Sequence, residues 1–295
     1  MFGHQVPMAP LVCGSFGQDP VPVTTPYVNL YVRLTDTCPA NCPFCVAHGP
    51  QYRPFDFAGF RKMLAEVYGK AYIKKVALTG GEPTTRVKDL QGVLGSVKEL
   101  DPRITVDLNT NGFQLHKLKG ADWDRLGSVS LSRHHWDDDR NAKAFGLRNA
   151  FFNSKMIQAC GHLDKLHLRC NLIRGFVDAQ DTVLRYMQEM AGLGVHDFGF
   201  VALMPLNTWC TKHTVTPAEA GLMEPLPGAL ATKHWDSPRG SCSCRNYVLD
   251  VLGDGMPVRY YTRYESKPET CGASSLVWDV DRLTLGFGGE EIWRL

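Results

Sequence analysis

Between residues 27 and 206, short runs rich in β-branched and aromatic residues alternate with stretches of helical spacing, from YVNLYVRLT at 27–35 to FGFVALMPL at 198–206. That alternation restricts the fold severely, because parallel strands cannot be joined by a tight turn and need a crossover, usually a helix. The pattern predicts strands at 28–34, 73–78, 104–109, 127–132, 165–173 and 197–203, with helices that include FAGFRKMLAEVYGK and DAQDTVLRYMQEMAGLG. Six βα units in so short a stretch suit an α/β fold of the partial (β/α)6 TIM-like type, open on one side, since a full eight-unit barrel takes about 250 residues. Only about two dozen residues precede the first strand, so the barrel and its short lead are expected to occupy 1–206. Past Leu206 the character changes. NTWCTKHTVTPAEAGLMEPLPGAL is rich in Pro, Gly and Thr, and SCSCRNYVLDVLGDGMPVRYY reads as a hairpin around a Gly-Asp-Gly turn. A smaller C-terminal module is expected over 207–295, and the chain has no internal repeat.

Composition narrows the partners. A formal charge of +2 with no basic run gives no broad footprint for nucleic acid or a membrane surface. The opening MFGHQVPMAPLVCGSFG lacks a basic segment followed by an unbroken apolar one, and nothing later approaches the roughly 20 apolar residues of a membrane span. The expected setting is the cytoplasm and the expected partner a small molecule. In that compartment ten cysteines point to reduced thiols and metal rather than disulfides.

The segment TCPANCPFC sets Cys38, Cys42 and Cys45 on one short loop after the first strand. A closed structural zinc site takes four ligands. A 4Fe-4S cubane has four irons, so three cysteines hold it and leave one iron open to an exogenous ligand. A zinc knuckle or three unrelated buried thiols are the alternatives. One βα unit later VALTGGEPTTR ends the next strand. Gly80 and Gly81 let the backbone approach a ligand closely, and Glu82 with nearby carbonyls can accept from an ammonium group. Strand C-termini of such a barrel share one face, so both loops belong to the same mouth.

In order, RLTDTCPANCPFC, LTGGEPTTRVKDL, NTNGFQL, SVSLS, LHLRCNLIRG and VALMPL resemble the radical S-adenosylmethionine (SAM) superfamily, and within it the GTP 3',8-cyclase type of molybdenum cofactor biosynthesis. The resemblance covers about residues 27–206. It implies a cluster-binding partial barrel that cleaves SAM reductively to a 5'-deoxyadenosyl radical, with an external electron donor such as flavodoxin or ferredoxin. Carried onto this chain, it makes Cys38, Cys42 and Cys45 the cluster ligands and sets Phe44 beside the SAM adenine. Gly80, Gly81 and Glu82 match the segment that holds the methionine amine. Asn111 lies in the turn at the next strand end, Ser130 and Arg169 correspond to groups holding the SAM carboxylate and neighbouring polar atoms, and Asn171 faces the ribose. For Ser130 and Asn171 a strand-end hydrogen bond is the alternative. Met204 contacts adenine through its main chain or belongs to the core.

The chain also departs from the cyclase. LSRHHWDDDRNAKAFG follows the fourth strand, so His134 and His135 are expected to rim the cavity, where they hold a polar substrate, shuttle a proton or bind a metal; the alternative is a solvated helix start, to which Asp137–Asp139 belong. In the tail, Cys242, Cys244 and Cys271, with Cys210 before them, look like an auxiliary iron-sulfur arrangement of the twitch kind, a second 4Fe-4S cluster, though the spacing is not the cyclase's. Alternatively one of these thiols, Cys244, stays free and donates hydrogen to a substrate radical, as in radical SAM epimerases. Cys13, Cys160 and Cys170 are expected to be buried small hydrophobes. The Cys-x-Cys spacing and the residues after Gly288 and Gly289 set the chain apart from GTP cyclisation. The leading expectation is hydrogen abstraction from a small polar metabolite leading to epimerisation, cyclisation or rearrangement. A maturase acting on a ribosomal peptide is the closest competitor, and a non-catalytic iron-sulfur protein the reading from another class.

Overall fold

A computed structural model of the chain describes residues 9–11, 22–45, 53–222, 230–236, 245–251, 254–261, 275–286 and 289–294. The short β1 (Ala9–Leu11) pairs antiparallel with the long β2 (Pro22–Arg33). Then follow α1 (Phe57–Tyr68), β3 (Tyr72–Thr79), α2 (Val87–Leu100), β4 (Thr105–Thr110), α3 (Gly120–Arg125) and β5 (Ser128–Ser132). Two short helices, α4 (Asp138–Ala144) and α5 (Ser154–Ala159), lead to β6 (Leu166–Leu172), α6 (Gln180–Ala191) and β7 (Phe198–Ala202). All six expected strands are present, and β2 through β7 pair in parallel, each beside its predecessor.

Local chemistry explains these elements. The Asp56 carboxylate caps α1 by accepting from the Gly59 N–H at 2.9 Å, and Phe60, Met63, Leu64 and Val67 repeat at helical spacing on its buried face. In the strands, one side of the alternation is apolar and buried against the helices: Phe198 and Phe200 meet Tyr186 of α6 at 6.1 and 5.6 Å between ring centroids. Full burial of such a side chain stabilises by about 1.5–3 kcal/mol, so this outer layer dominates the packing. The other side faces the barrel interior and is far more polar, as described below.

Beyond α7 (Thr208–His213) the chain continues in β8 (Leu230–Asp236), β9 (Arg245–Val251), β10 (Asp254–Tyr261), β11 (Ser275–Asp279), β12 (Arg282–Leu285) and β13 (Glu291–Arg294). The expected hairpin is β9–β10, with Val251 opposite Asp254. The tail strands continue the barrel's own sheet on both sides: the order is β13-β12-β11-β2-β3-β4-β5-β6-β7-β10-β9-β8, with β11 parallel to β2 and β10 parallel to β7. Local pattern could not foretell this, because pairing between strands so far apart in sequence leaves no mark on either one. The path has two ends, so the barrel is open as expected. Among the described residues no helix is long and apolar enough to cross a membrane.

Candidate functional site

The loop after β3 is built around one carboxylate. Glu82 is 1% exposed; its Oε1 accepts from the Thr84 N–H at 3.0 Å and from the Thr84 and Thr110 hydroxyls at 2.6 Å each, and its Oε2 accepts from the Asn111 N–H at 2.7 Å. Both hydroxyls also accept a backbone N–H, from Gln114 and Gly112, which turns their single protons toward Glu82. Burial pushes the carboxyl pKa up, and these donors oppose the shift. Oε2 retains one acceptor direction, compatible with the expected ammonium partner. Gly80 and Gly81 are required by a close approach: the Gly81 N–H donates to the Thr35 carbonyl at 2.7 Å and the Glu82 N–H to the Thr37 carbonyl at 2.9 Å. Gly80 has φ 139°, and a Cβ there would lie 2.5 Å from the Thr35 oxygen; one at Gly81 would run into the Thr37 carbonyl.

Thr35 and Thr37 are the root of the cysteine loop, which has little structure of its own. The Cys45 N–H donates to the Cys42 carbonyl at 3.1 Å, and the Cys38 Sγ accepts from the Ala40 N–H at 3.4 Å and the Asn111 side chain at 3.5 Å. Other elements hold the rest: the Asn41 N–H bonds the Phe145 carbonyl at 2.9 Å, and the Asn207 amide bonds the Pro43 carbonyl at 3.0 Å. Burial pushes the Cys38 thiol up to about 11 and, with the added repulsion of Cys45 and Cys38, the Cys42 thiol up to about 12. The Cys38 and Cys42 thiols, which resist ionisation at one short loop, form a site that a cation would relieve. Among the described residues no three His, Cys, Asp or Glu side chains converge on a single ion. A cubane asks for less convergence, since each thiolate meets its own iron.

Phe44 leans edge-on against His134, 5.1 Å between centroids, and lies 6.0 Å from Trp209 of α7. His134 is held from α4 and β6: its N–H donates to Asn141 Oδ1 at 2.8 Å, and its Nδ1 accepts from the Asn171 N–H at 3.0 Å. Burial lowers its pKa to about 3, so it stands neutral beside the cysteine loop. The structure corrects the expectation for His135. Successive residues of extended chain point to opposite faces, and His135 packs on Trp136 at 3.9 Å and faces Phe176 at 6.3 Å. It is 1% exposed, its Nδ1 accepts from the Asp137 N–H at 2.9 Å, and burial lowers its pKa to about 4. It therefore does not rim the cavity. Asp137 caps α4 through the Arg140 N–H, as a helix start should.

Beside the expected Ser130, Arg169 and Asn171, the inner face carries two pairs that sequence reading missed, His167–Asp197 and Lys75–Asp107. Asn109, Ser130 and His167 share one register row, and Ser132 stands opposite Arg169 in the row above. The Arg169 Nε donates to Ser130 Oγ at 3.3 Å. His167 Nδ1 lies 2.6 Å from Asp197 Oδ1, and Lys75 of β3 pairs with Asp107 of β4. Burial pushes the His167 pKa down against the pull of Asp197, and the positive charges of Arg169 and Lys75 add to the lowering. The available signal was polar residues at every second position of otherwise apolar strands, His167, Arg169 and Asn171 in LHLRCNL and Asp107 in TVDLNT.

The remaining expectations divide. Met204 is 40% exposed and lies past the end of β7, which corrects the core alternative. Cys210 is 1% exposed within α7, whose start Asn207 caps by accepting from the Cys210 N–H. Cys170 is buried as expected, and Cys160 is partly exposed. Cys13, Cys242, Cys244 and Cys271 lie outside the described residues.

Comparison with known proteins bears on all of this. A family model described as the Radical SAM superfamily matches residues 32–199. The GTP 3',8-cyclase of Aquifex aeolicus (strain VF5) is 28% identical over 199 residues, which cover 63% of this chain and 59% of that protein. This chain thus spans less than two thirds of that relative's length. Among solved structures, Streptococcus suis SuiB bound to S-adenosylmethionine superposes with TM-score 0.50 at 17% identity, over 62% of this chain and 42% of that one. Native anSMEcpe with bound AdoMet and the Cp18Cys peptide gives 0.51 at 18% identity, over 66% and 56%. These two likenesses establish the fold.

Proposed function

The chain belongs to the radical SAM superfamily, and on that premise we propose that it abstracts hydrogen from an unactivated C–H bond of a small polar metabolite, completing an epimerisation, cyclisation or rearrangement. The thiols of Cys38, Cys42 and Cys45 would hold a 4Fe-4S cluster, which supplies the electron for reductive cleavage of SAM to a 5'-deoxyadenosyl radical. What the chain's own residues do is bind and aim. The Gly80–Glu82 segment offers backbone and Oε2 to the methionine amine, Asn111 donates toward Cys38, and sulfur-directed donors of this kind tune a cluster's potential. Phe44 and neutral His134 form an apolar wall beside the loop, keeping water from the radical. Arg169 with Ser130 gives a cationic, hydrogen-bonding patch for a carboxylate.

The observation that carries the substrate class is the interior itself. Below that patch the inner face holds the Lys75–Asp107 ion pair and neutral His167 beside Asp197, polar groups that an apolar substrate would not satisfy. A small molecule bearing several polar groups fits such a lining. The cytoplasm and a flavodoxin- or ferredoxin-type electron donor follow from the same reading. We extend the proposal to the tail: residues 207–295 form a twitch-like module in which Cys210, Cys242, Cys244 and Cys271 hold an auxiliary 4Fe-4S cluster. Iron retained by the Cys38→Ala/Cys42→Ala/Cys45→Ala variant, about four per chain against about eight in the parent, is the expected result, and iron near zero in the variant removes the tail cluster.

The main test uses the anaerobically reconstituted chain with SAM, a strong reductant and either a deuterated low-mass polar metabolite fraction or a deuterated short-peptide fraction. Deuterium should enter 5'-deoxyadenosine from the metabolite fraction. Transfer from the peptide fraction alone would move the reading to a peptide maturase. No SAM cleavage by the fully loaded chain would leave an iron-sulfur protein without this chemistry.

A further inference from the structure

The cysteine loop departs from β2 at Arg33, and the chain returns toward α1 through Arg53. Both arginines end on one carboxylate, which belongs to the other end of the chain. Asp279, the last residue of β11, is the register partner of Arg33, and its Oδ1 accepts from Arg33 Nη1 at 2.9 Å and from Arg53 Nη2 at 3.1 Å. Asp36, two residues before Cys38, closes the circuit from the loop side: Oδ1 accepts from Arg33 Nη2 at 2.9 Å and Oδ2 from Arg53 Nε at 2.8 Å. Asp281 accepts from Arg53 Nη1 at 3.0 Å, and Arg282 returns to Asp279 Oδ2 at 3.1 Å. Guanidinium and carboxylate charges balance in this network. The Asp36 and Asp279 side chains are only 5% and 9% exposed, so these charge-assisted bonds are poorly screened by salt.

The turn that delivers the two aspartates is strained. Val280 has φ 64°, where a β-branched residue is rarely found and where a two-residue hairpin turn usually places glycine. Two things hold it there: the Asp56 N–H donates to its carbonyl at 3.0 Å, and its side chain is fully buried. The residues on either side of this strained position, Asp279 and Asp281, both reach Arg53.

We propose that Asp279 is a positioning residue for the loop that carries Cys38, Cys42 and Cys45. Acting through Arg33, Arg53 and Asp36, the β11–β12 turn pins that loop on both sides and sets how its thiols face the mouth. A tail hairpin that carries no cysteine thereby governs the cluster loop. The functional consequence rests on the reading of these three thiols as cluster ligands; the pinning does not.

The experiment compares the full chain with Asp279→Asn, which removes the charge at constant shape, with Asp279→Glu, which restores it, and with Asp101→Asn, which breaks a carboxylate–guanidinium pair elsewhere. In cluster-free protein, amide exchange of peptides within residues 36–45 should speed up at least about tenfold in Asp279→Asn, stay within about threefold of the parent in Asp279→Glu, and be unchanged in Asp101→Asn. After anaerobic reconstitution, Asp279→Asn should keep the parent's iron content but need at least about tenfold more SAM to change the electron paramagnetic resonance spectrum of the reduced cluster. Parent-like exchange and SAM titration in Asp279→Asn would overturn the proposal. Equal effects in Asp279→Asn and Asp101→Asn would overturn it too, as general loss of stability. Should Asp279→Asn fail to fold, Arg53→Gln carries the same two readouts from the loop side. A parent chain that loads no iron while Asp279→Asn still loosens 36–45 would sink the cluster reading and leave the pinning in force.

Discussion

The two loops that meet at the barrel mouth are stabilised in opposite ways. The loop after β3 is organised from within: Glu82 gathers four donors, and the hydroxyls that serve it are themselves fixed by backbone N–H groups. The loop after β2 borrows its order from Phe145, Asn111, Asn207 and the charged turn after β11. A loop that must accept a bulky charged guest cannot fill its own centre with hydrogen bonds. A loop that presents backbone and one carboxylate oxygen to a ligand can. The difference teaches that the rigidity of the first is local, while the rigidity of the second is a property of the whole assembled sheet.

The contact between them gives the sharpest way to break this contrast. Gly81→Ala should force the Thr37 carbonyl away and cost about 3 kcal/mol, and because the displaced residue is the root of the cysteine loop, iron loading should fall as well. Urea unfolding of the cluster-free chain and iron content after reconstitution read the two effects; an Ala variant equal to the parent in both would mean that the loops do not meet this closely. Glu82→Gln comes next. It keeps the volume but turns an amide donor toward a shell of donors, and a loss of about 2 kcal/mol in urea unfolding is expected from the group left unsatisfied. The damage should stay local: exchange should rise in residues 80–86 well before it rises in residues 36–45. The reverse order would dissolve the distinction between the two loops.

The smallest expected effect for a single side chain is a pH dependence, about 1 kcal/mol for each buried histidine between pH 7 and 5.5, that reaches the borrowed loop through His134. Burial lowers His134 to about 3 and His135 to about 4, below the ordinary value of about 6.5 that they regain on unfolding. The unfolded chain therefore binds more protons between these limits, so stability is full above about pH 6.5 and is lost as pH falls toward about 4 for His135 and about 3 for His134. Because Phe44 leans on His134, exchange in residues 36–45 should rise on acidification from pH 7 to 5.5 while residues 80–86 stay protected. A flat urea-unfolding profile over that range would mean that neither histidine is held neutral.

Much of this was legible in the sequence, for identifiable reasons. The βα alternation, the α1 face and the Gly-Gly-Glu turn are local patterns, and local patterns survive without tertiary knowledge. His135 was misplaced because nearness to a strand end was weighed above alternation; counting every second residue from Ser130 leads to His134 and not to His135. Thr84 and Thr110 look like ordinary turn and strand residues, and their role appears only once β3 and β4 are adjacent. The Arg33, Arg53 and Asp279 network was invisible for a stronger reason: its members are scattered over nearly the whole chain, and isolated charges read as solvated surface.

The place of β11 beside β2 also bears on how the molecule is made. A chain emerging N-terminus first can lay β3 through β7 down in the order of their synthesis, each strand finding its partner already waiting. The free margin of β2 has no such luck. β1 covers its beginning near Pro22 and Tyr27, but the stretch from Asn29 to Arg33 waits for Ser275–Asp279, and the ion pair that fastens it closes across 246 positions. Until then the nascent protein presents a bare strand to its surroundings, the kind of margin on which chains stick to one another. The residues that shield this margin therefore leave the ribosome 246 positions after Arg33, and the hazard of aggregation lasts through that interval.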